Sequence, residues 1–297
     1  MKKLFNILLT ITFITSVFSF VCCNKFFDND ETKVTDGLCL NIGDKTIVYT
    51  SDIDFYDISS HTVYLKKKIE YDGIISVNVG EEEIYKCSIH PTYSSSLPEG
   101  VFIWGSPFMK EDIISFGFVQ YLNEKHEPIN TDPRNDKRII KALKKYGQYC
   151  EGINCEIKSI SYSKGKLVLN IDLYNPDTFN YYYLDIDKMG IGLFHYYTNG
   201  PSFLNDSYTK SYSHQETVIE PEPWDSWKKE WLSLLKSGER KNVLITYSKF
   251  EIIPAGKYRM FFAYPGLSPA KSHKELVLEN GRIWVGGVCI EKEITIY

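Results

Sequence analysis

A strict two-residue alternation in residues 166–174 is the feature that most constrains how this chain can fold. One set of alternate positions is entirely aliphatic, and the other is mostly polar or aromatic. The first set is Leu167, Leu169, Ile171 and Leu173, and the second is Val168, Asn170, Asp172 and Tyr174. Because successive side chains of a β-strand point to opposite faces, this period predicts a strand with one face in a core.

Two aromatic-rich segments follow this strand. The first contains the run Tyr181-Tyr182-Tyr183. The second, residues 191–197, again alternates and predicts a strand, with His195 and Tyr197 in phase on one face. Because adjacent strand residues point to opposite faces, we expect at least one tyrosine of the run to be exposed or at a sheet edge.

The composition is that of a β-rich protein with a core and no nucleic-acid partner. The 297 residues are enough for roughly two domains. A net charge of −4 provides no basic surface for nucleic acid. The 22 tyrosines favour strands and half-exposed positions. We therefore expect a mainly β fold, α+β overall.

The N-terminus predicts export. Lys2 and Lys3 precede an uncharged, largely apolar run over residues 4–23, which is typical of a signal peptide. A run of this length is also long enough to span a bilayer if it is not removed. Ordinary signal-peptide cleavage would follow Ser19.

A lipid anchor is the alternative that we favour for this N-terminus. Cys22 and Cys23 are candidates for lipidation, and residues 24–35 form a polar, acidic tether after them. This start resembles that of the cell-surface lipoproteins common in Bacteroidetes-type bacteria. The resemblance implies attachment to a membrane through an N-terminal lipid, at the outer membrane or cell surface; a secreted or periplasmic protein is the alternative.

Residues 36–150 predict a small β-rich domain with one helix. Short β-prone segments recur through it and are separated by turn residues. The helix is predicted over residues 132–147, because Asp132 is a good N-cap, Pro133 suits the first turn and Gly147 can end it. Ile139, Leu143 and Tyr146 are spaced four and three apart, which places them on one apolar face of this helix.

Residues 156–297 predict a β-sandwich with a helical insertion at about 201–241. Trp224, Trp227 and Trp231 recur in the insertion at helical spacing, after Pro223. A helix docked on the sheet by these rings is the simplest interpretation. A stacking surface for a ligand is the alternative, since long connections are often functional.

The segment before Tyr258 resembles a tyrosine corner. An apolar residue and the pattern Pro254-x-Gly256-x-Tyr258 lead into an alternating strand, as in immunoglobulin-like and fibronectin-type sandwiches. This resemblance implies that the Tyr258 hydroxyl bonds to the backbone just upstream. Asn280-Gly281 predicts a hairpin near the C-terminus. We expect an immunoglobulin-like C-terminal sandwich.

Five cysteines remain beyond Cys23. In an oxidising compartment disulfides are permitted, and Cys150 and Cys155 could close a small structural loop. An odd number leaves at least one thiol unpaired.

No motif predicts catalysis, a metal or a cofactor. Six histidines are scattered singly, of which His195 is the first to inspect as a base. Asp185 and Asp187 begin like a calcium loop, but Met189 and Tyr196 stand where oxygen ligands are required. We assign no catalytic residue, no metal and no cofactor.

The sequence favours a non-catalytic binding module at the cell envelope. Its ligand would be a glycan or an envelope protein, and the candidate contact residues are Tyr181, Tyr183, His195, Tyr197, Trp224, Trp227 and Trp231. One rival is a secreted protease inhibitor that presents the loop Tyr93 to Gly100. The other is a hydrolase in which carboxylates gather around His195.

Overall fold

The computed structural model describes residues 37–43, 46–70, 73–105, 110–121, 123, 129–207, 209–224, 226–267 and 272–297. The predicted signal peptide, the lipidation candidates Cys22 and Cys23, and the tether lie outside these residues. The fold is mainly β with three α-helices in the described part, so the predicted fold class is confirmed. No helix in that part is long and apolar enough to cross a membrane.

The chain forms two compact units. The first contains the described residues up to Cys150 together with the short segment that ends at Glu275. The second contains the described residues of Glu151–Ser268 and of Leu276–Tyr297. In the first unit, His273 of the short segment makes a 3.0 Å contact from Nδ1 to the carbonyl oxygen of Leu65.

The first unit holds two sheets. Its strands are β1 Leu38–Ile42, β2 Thr46–Val48, β3 Ile53–Asp57, β4 Thr62–Leu65, β5 Ile74–Val79, β6 Glu82–His90, β7 Val101–Trp104, β8 Ile113–Ser115, β9 Gly117–Phe118 and β10 Tyr149–Cys150. One sheet has the order β2-β1-β5-β6-β7-β9 and the other β10-β3-β4-β8. Buried aliphatic and aromatic side chains from both sheets, together with Ile139, Ala142 and Leu143, form the core of the unit.

The predicted helix of this unit is present but shorter than 132–147. A single 3-10 turn, Pro133–Asn135, follows Asp132, which caps it by accepting from the Arg134 N–H at 3.0 Å. Helix α1, Lys137–Lys145, then begins after a second cap, Asp136. Ile139 and Leu143 are fully buried, as the spacing of apolar residues predicted. Tyr146, which was predicted on the same face, follows the last helical residue and is 42% exposed.

The second unit holds three sheets. Its strands are β11 Asn154–Ser163, β12 Lys166–Tyr174, β13 Tyr181–Leu184, β14 Ser202–Asn205, β15 Ser211–Ser213, β16 Leu232–Leu235, β17 Arg240–Tyr247, β18 Gly256–Tyr264, β19 Val277–Leu278, β20 Gly281–Ile283 and β21 Val288–Ile296. The strand orders are β11-β12-β17, β16-β13-β20-β19 and β15-β14-β18-β21. The arrangement is sandwich-like.

Strand β12 has the alternation that the sequence predicted. Leu167, Leu169, Ile171 and Leu173 are all fully buried, and the positions between them are not. Both neighbouring strands pair with β12 in antiparallel register. The strand is therefore central in its sheet.

Residues 191–197 form a helix, and the strand predicted there is wrong. Helix α2, Ile186–Met189, is capped by Asp185, and Gly190 then reverses the chain with φ +75°. Helix α3, Ile191–Tyr197, follows at once. A short run of apolar and aromatic residues fits a buried helix as well as a strand, and here the cap and the glycine decide.

The helix predicted around Trp224, Trp227 and Trp231 is also wrong. Among the described residues of this segment, the helical structure is a single 3-10 turn, Lys229–Trp231, which leads directly into strand β16. Leu232–Leu235 pair with Tyr181–Leu184 in the sheet, which gives this backbone the hydrogen bonds that a helix would otherwise supply. The rest of the insertion contains β14, β15 and an extended connection.

Candidate functional site

The tyrosine run lies inside the second unit, contrary to expectation. Tyr181 and Tyr183 are 2% exposed and Tyr182 is 9% exposed. Strand β13 lies between β16 and β20, so it is not an edge strand. The Tyr181 hydroxyl donates to Asp177 Oδ2 at 2.8 Å. Tyr181 and Tyr183 are therefore core residues and cannot contact a ligand at the surface.

Helix α3 presents two tyrosines to the insertion. The hydroxyl of Tyr196 donates to the carbonyl oxygen of Trp224 at 2.7 Å. The hydroxyl of Tyr197 donates to the carbonyl oxygen of Ser226 at 3.1 Å. Burial, together with the Tyr196 side chain, raises the pKa of Tyr197 to about 12. The Tyr197 hydroxyl therefore keeps its proton and remains a donor at physiological pH.

The three tryptophans lie next to these tyrosines at the surface. The side chain of Trp224 is 50% exposed, and Trp227 and Trp231 are half-buried. The rings of Tyr197 and Trp231 meet at 6.4 Å between centroids, and those of Tyr196 and Tyr197 at 5.2 Å. We refer to Tyr196, Tyr197, Trp224, Trp227 and Trp231 as the aromatic surface.

The connection that leads to the aromatic surface is extended and partly apolar. Ile219 is 56% exposed and Val218 is 53% exposed. The Ile219 N–H donates to the carbonyl oxygen of Gly192 at 2.9 Å, which holds the connection against helix α3. A Cβ atom at Gly192 would lie 2.7 Å from the Thr217 carbonyl oxygen, so glycine permits this approach.

His195 points into the protein and stacks on a second histidine. Its side chain is 3% exposed, and its ring is 3.7 Å from that of His214 with an angle of 14° between the planes. Burial and the neighbouring His214 lower the pKa of His195 to about 4. Burial also lowers the pKa of His214. Both rings are neutral at pH 7.

The surroundings of His195 do not support its use as a catalytic base. Nδ1 lies 3.2 Å from the Thr198 carbonyl oxygen, so this nitrogen donates. Nε2 has no hydrogen-bond partner among the residues that the structure describes. The carboxylate pair that the hydrolase alternative requires is therefore not assembled on this ring within the described residues.

A polar groove lies elsewhere on the second unit. It has a volume of about 530 Å³ and is lined by Asn205, Asp206, Lys257, Tyr258, Arg259, Glu293, Ile294 and Thr295. Arg259 in this groove is paired with Glu291 at 3.0 Å. Tyr258 is the one predicted residue that reaches it, and its hydroxyl donates to the Pro254 carbonyl oxygen at 2.9 Å, as the tyrosine-corner resemblance implied.

The predicted Cys150–Cys155 bridge is not formed. Cys155 is a free thiol on strand β11, and burial raises its pKa far above the usual range. Cys150 belongs to strand β10 of the first unit. Within the described residues, no group of three or more His, Cys, Asp and Glu side chains is placed to hold a metal ion.

No known family model matches the chain, and no curated protein matches its sequence.

Sequence reasoning missed three residues of this region. His214 and Tyr247 lie far from His195 in the chain, yet their rings meet that of His195 at 3.7 and 5.2 Å. Tyr196 was set aside as a poor calcium ligand, but its hydroxyl fixes Trp224. The sequence held one sign of this pair, Gly200 in the turn Asn199-Gly200-Pro201. A side chain at this position would collide with both imidazole rings, so glycine allows them to pack against the backbone.

Proposed function

We propose that this chain is an exported cell-envelope protein, anchored through a lipid on Cys22 or Cys23, whose second unit binds glycans without catalysis. The second unit would be an immunoglobulin-like sandwich, supported by its sandwich-like sheets and by the Tyr258 to Pro254 hydrogen bond. The signal-peptide pattern and the lipoprotein-like start support export and attachment.

One observation carries the binding proposal: Trp224 is half exposed while its backbone is held by Tyr196. Large aromatic rings supply much binding energy at little entropic cost, above all when their position is fixed beforehand. The two hydrogen bonds from helix α3 fix the connection on which Trp224 and Trp227 are carried. The aromatic surface is therefore preorganised for a ligand.

The chemistry around the rings favours a glycan over a protein. Three exposed charged residues, Lys228, Lys229 and Glu230, separate Trp227 from Trp231. A sugar has a C–H face that packs on an aromatic ring and hydroxyl groups that need polar neighbours. A mixture of rings and charges matches such a ligand better than it matches a broad apolar protein face.

A glycan-array screen of the full chain, in a detergent without a sugar headgroup, tests this function. We expect binding to a defined set of glycans and a loss of about tenfold or more in affinity for Trp224→Ala. Tyr93→Ala is the matched control, because Tyr93 is a 90% exposed aromatic residue of the first unit. No binding to any glycan, or equal losses in both variants, would refute the proposal.

The exposure of Tyr93 favours the protease inhibitor as a second candidate. The loop is fixed at its far end, since the Tyr121 hydroxyl donates to the Pro98 carbonyl oxygen at 3.2 Å and the Val119 N–H to that of Gly100 at 3.0 Å. A rigid loop with an exposed aromatic side chain suits a protease with an apolar specificity pocket. Inhibition that Tyr93→Ala abolishes and Trp224→Ala leaves unchanged would establish this candidate.

A further inference from the structure

The connection between strand β15 and the aromatic surface begins at the histidine stack. His214 follows β15 directly, and the next residues lead to helix α3, where Thr217 and Ile219 lie against Gly192. The Gln215 N–H donates to the Lys249 carbonyl oxygen at 2.6 Å, and the Ile219 N–H donates to that of Gly192. The stack therefore lies at one end of the contact that positions Val218, Ile219 and Trp224.

Each imidazole is fixed in one neutral tautomer. His214 Nε2 lies 3.1 Å from the Asn199 carbonyl oxygen and donates to it, while Nδ1 accepts from the Glu216 N–H at 3.2 Å. A proton on His214 Nδ1 would face that N–H. His195 donates from Nδ1 to Thr198, so a further proton must go to the buried Nε2, which has no acceptor within the described residues.

The rings have no room to relax while the chain stays closed. A Cβ atom on Gly200 would lie 2.5 Å from His195 Cε1 and 2.8 Å from His214 Cδ2, so the backbone of Gly200 already covers both rings. Tyr247 is fully buried and its ring is 5.2 Å from that of His195. His214 is half-buried, whereas the His195 ring is 3% exposed, so a protonated His195 gains full access to water only if the segment that covers it moves away.

The charged neighbours do not outweigh the effect of burial on the stack, since the pKa values of both histidines are lowered. Tyr247 of β17 is uncharged, because burial raises its pKa well above the ordinary value. Glu216 raises the pKa of His214, but its Oε1 atom is engaged by the N–H groups of Ser248 and Lys249, at 2.7 and 3.0 Å. Beyond β17, Lys249 is exposed, and Glu251 accepts from the Ser213 N–H at 2.7 Å. The turn 198–200 has no titratable side chain.

We propose that the stacked His195–His214 pair is an acid-sensitive latch that holds residues 214–219 on helix α3. Protonation of His195 places a cation against the His214 ring at van der Waals distance and leaves a buried Nε2–H without an acceptor among the described residues. Protonation of His214 turns its Nδ1 from an acceptor into a donor that faces the Glu216 N–H. The segment then releases, and the aromatic surface loses its fixed position. That last consequence, acid-controlled ligand binding, rests on the proposed function, whereas the latch does not.

The size of the effect follows from linkage. A released His195 titrates near 6.5 and the held ring at about 4. The titration of His195 alone therefore raises the equilibrium constant for release about twentyfold between pH 7 and pH 5.

Amide hydrogen exchange of the full chain tests the latch without any ligand. We expect the protection factors of Glu216 and Ile219, whose N–H groups bond to His214 and to helix α3, to fall about twentyfold from pH 7 to pH 5, after correction for intrinsic rates. In His195→Phe, which keeps an aromatic ring but cannot titrate, the same amides should lose less than threefold. Unchanged protection in the wild type, or an equal fall in the variant, would overturn the latch.

A second measurement uses only the wild-type chain and remains decisive if the variant does not fold. Ring nitrogen resonances should show His195 protonated on Nδ1 and His214 on Nε2 at pH 7. Neither ring should have an apparent pKa at or above 6.5. The opposite tautomers, or titration at the ordinary pKa, contradicts the latch. Failure of the glycan screen leaves both readouts unaffected, so the two proposals fail separately.

Discussion

The hydroxyl of Tyr196 lies 2.7 Å from the carbonyl oxygen of Trp224, and this hydrogen bond joins helix α3 to the insertion. The two residues are 28 positions apart in the chain. The bond turns an extended connection into a fixed support for an exposed ring. The binding proposal depends on this support as much as on the tryptophan.

Tyr196→Phe should weaken ligand binding while leaving the fold intact. The change removes one hydrogen bond at the surface, so the free energy of unfolding should fall by no more than about 1 kcal/mol. The affinity for the glycan should fall more than the stability does, because Trp224 loses its fixed position. Calorimetric titration and urea unfolding measure the two effects. A fall in stability of several kcal/mol would instead make Tyr196 a structural residue.

Leu169→Ala should strongly destabilise the second unit. Leu169 is fully buried on β12, so the change removes buried methyl groups and leaves a cavity at a cost of about 3–5 kcal/mol. Leu244→Ala on the adjacent strand β17 is the matched control, since Leu244 is 57% exposed and should cost less than about 1 kcal/mol. Urea unfolding followed by circular dichroism measures both. Similar losses would contradict the assignment of the two faces.

Tyr258→Phe should cost about 1 kcal/mol, because it removes the hydrogen bond to the Pro254 carbonyl oxygen and leaves the buried ring in place. Tyr93→Phe should have no measurable effect on stability, since the Tyr93 side chain is 90% exposed. The difference between the two unfolding midpoints in urea measures the bond. An unchanged urea midpoint for Tyr258→Phe would show that the Tyr258 to Pro254 hydrogen bond does not stabilise the second unit.

The sequence was informative where a pattern is local. The alternation of Leu167 to Leu173 predicted β12 because each side chain's direction depends only on its own strand. The Pro254-x-Gly256-x-Tyr258 pattern likewise predicted the hydrogen bond from the Tyr258 hydroxyl to the backbone just upstream, because both partners lie within five residues. In the same way, the spacing of Ile139 and Leu143 predicted the buried face of helix α1.

Prediction failed where distant partners decide the structure. Residues 232–235 form a strand because Tyr181–Leu184 offer them a pairing edge, and no local spacing shows this. The same pairing places β13 inside its sheet and buries Tyr182. The stack of His195 on His214 depends on how α3 and β15 meet, so single histidines in the sequence gave no sign of a pair.

Gly200→Ala should destabilise the protein more than Gly238→Ala does. Both glycines have positive φ, +69° and +71°, so either change incurs the left-handed penalty of about 1–2 kcal/mol. Only the Gly200 Cβ would collide with other atoms, those of His195 and His214, whereas the Gly238 Cβ would meet nothing within 4 Å. Overpacking adds about 1–3 kcal/mol at Gly200. Equal losses in chemical denaturation would mean that the rings shift freely.

The stability of the second unit should fall with acid before Asp172 titrates. The folded pKa of His195, about 4, lies below its unfolded value of 6.5, so the unfolded state binds the proton first. The contribution is complete above pH 6.5, is lost as the pH falls towards 4, and amounts to about 3 kcal/mol. Asp172 has a lowered pKa, and its contribution is lost only below its unfolded value of 3.8. Urea unfolding at pH 7, 5.5 and 4.5 should therefore show a decline that His195→Phe largely removes; a decline of the same size in the variant would assign it to other groups.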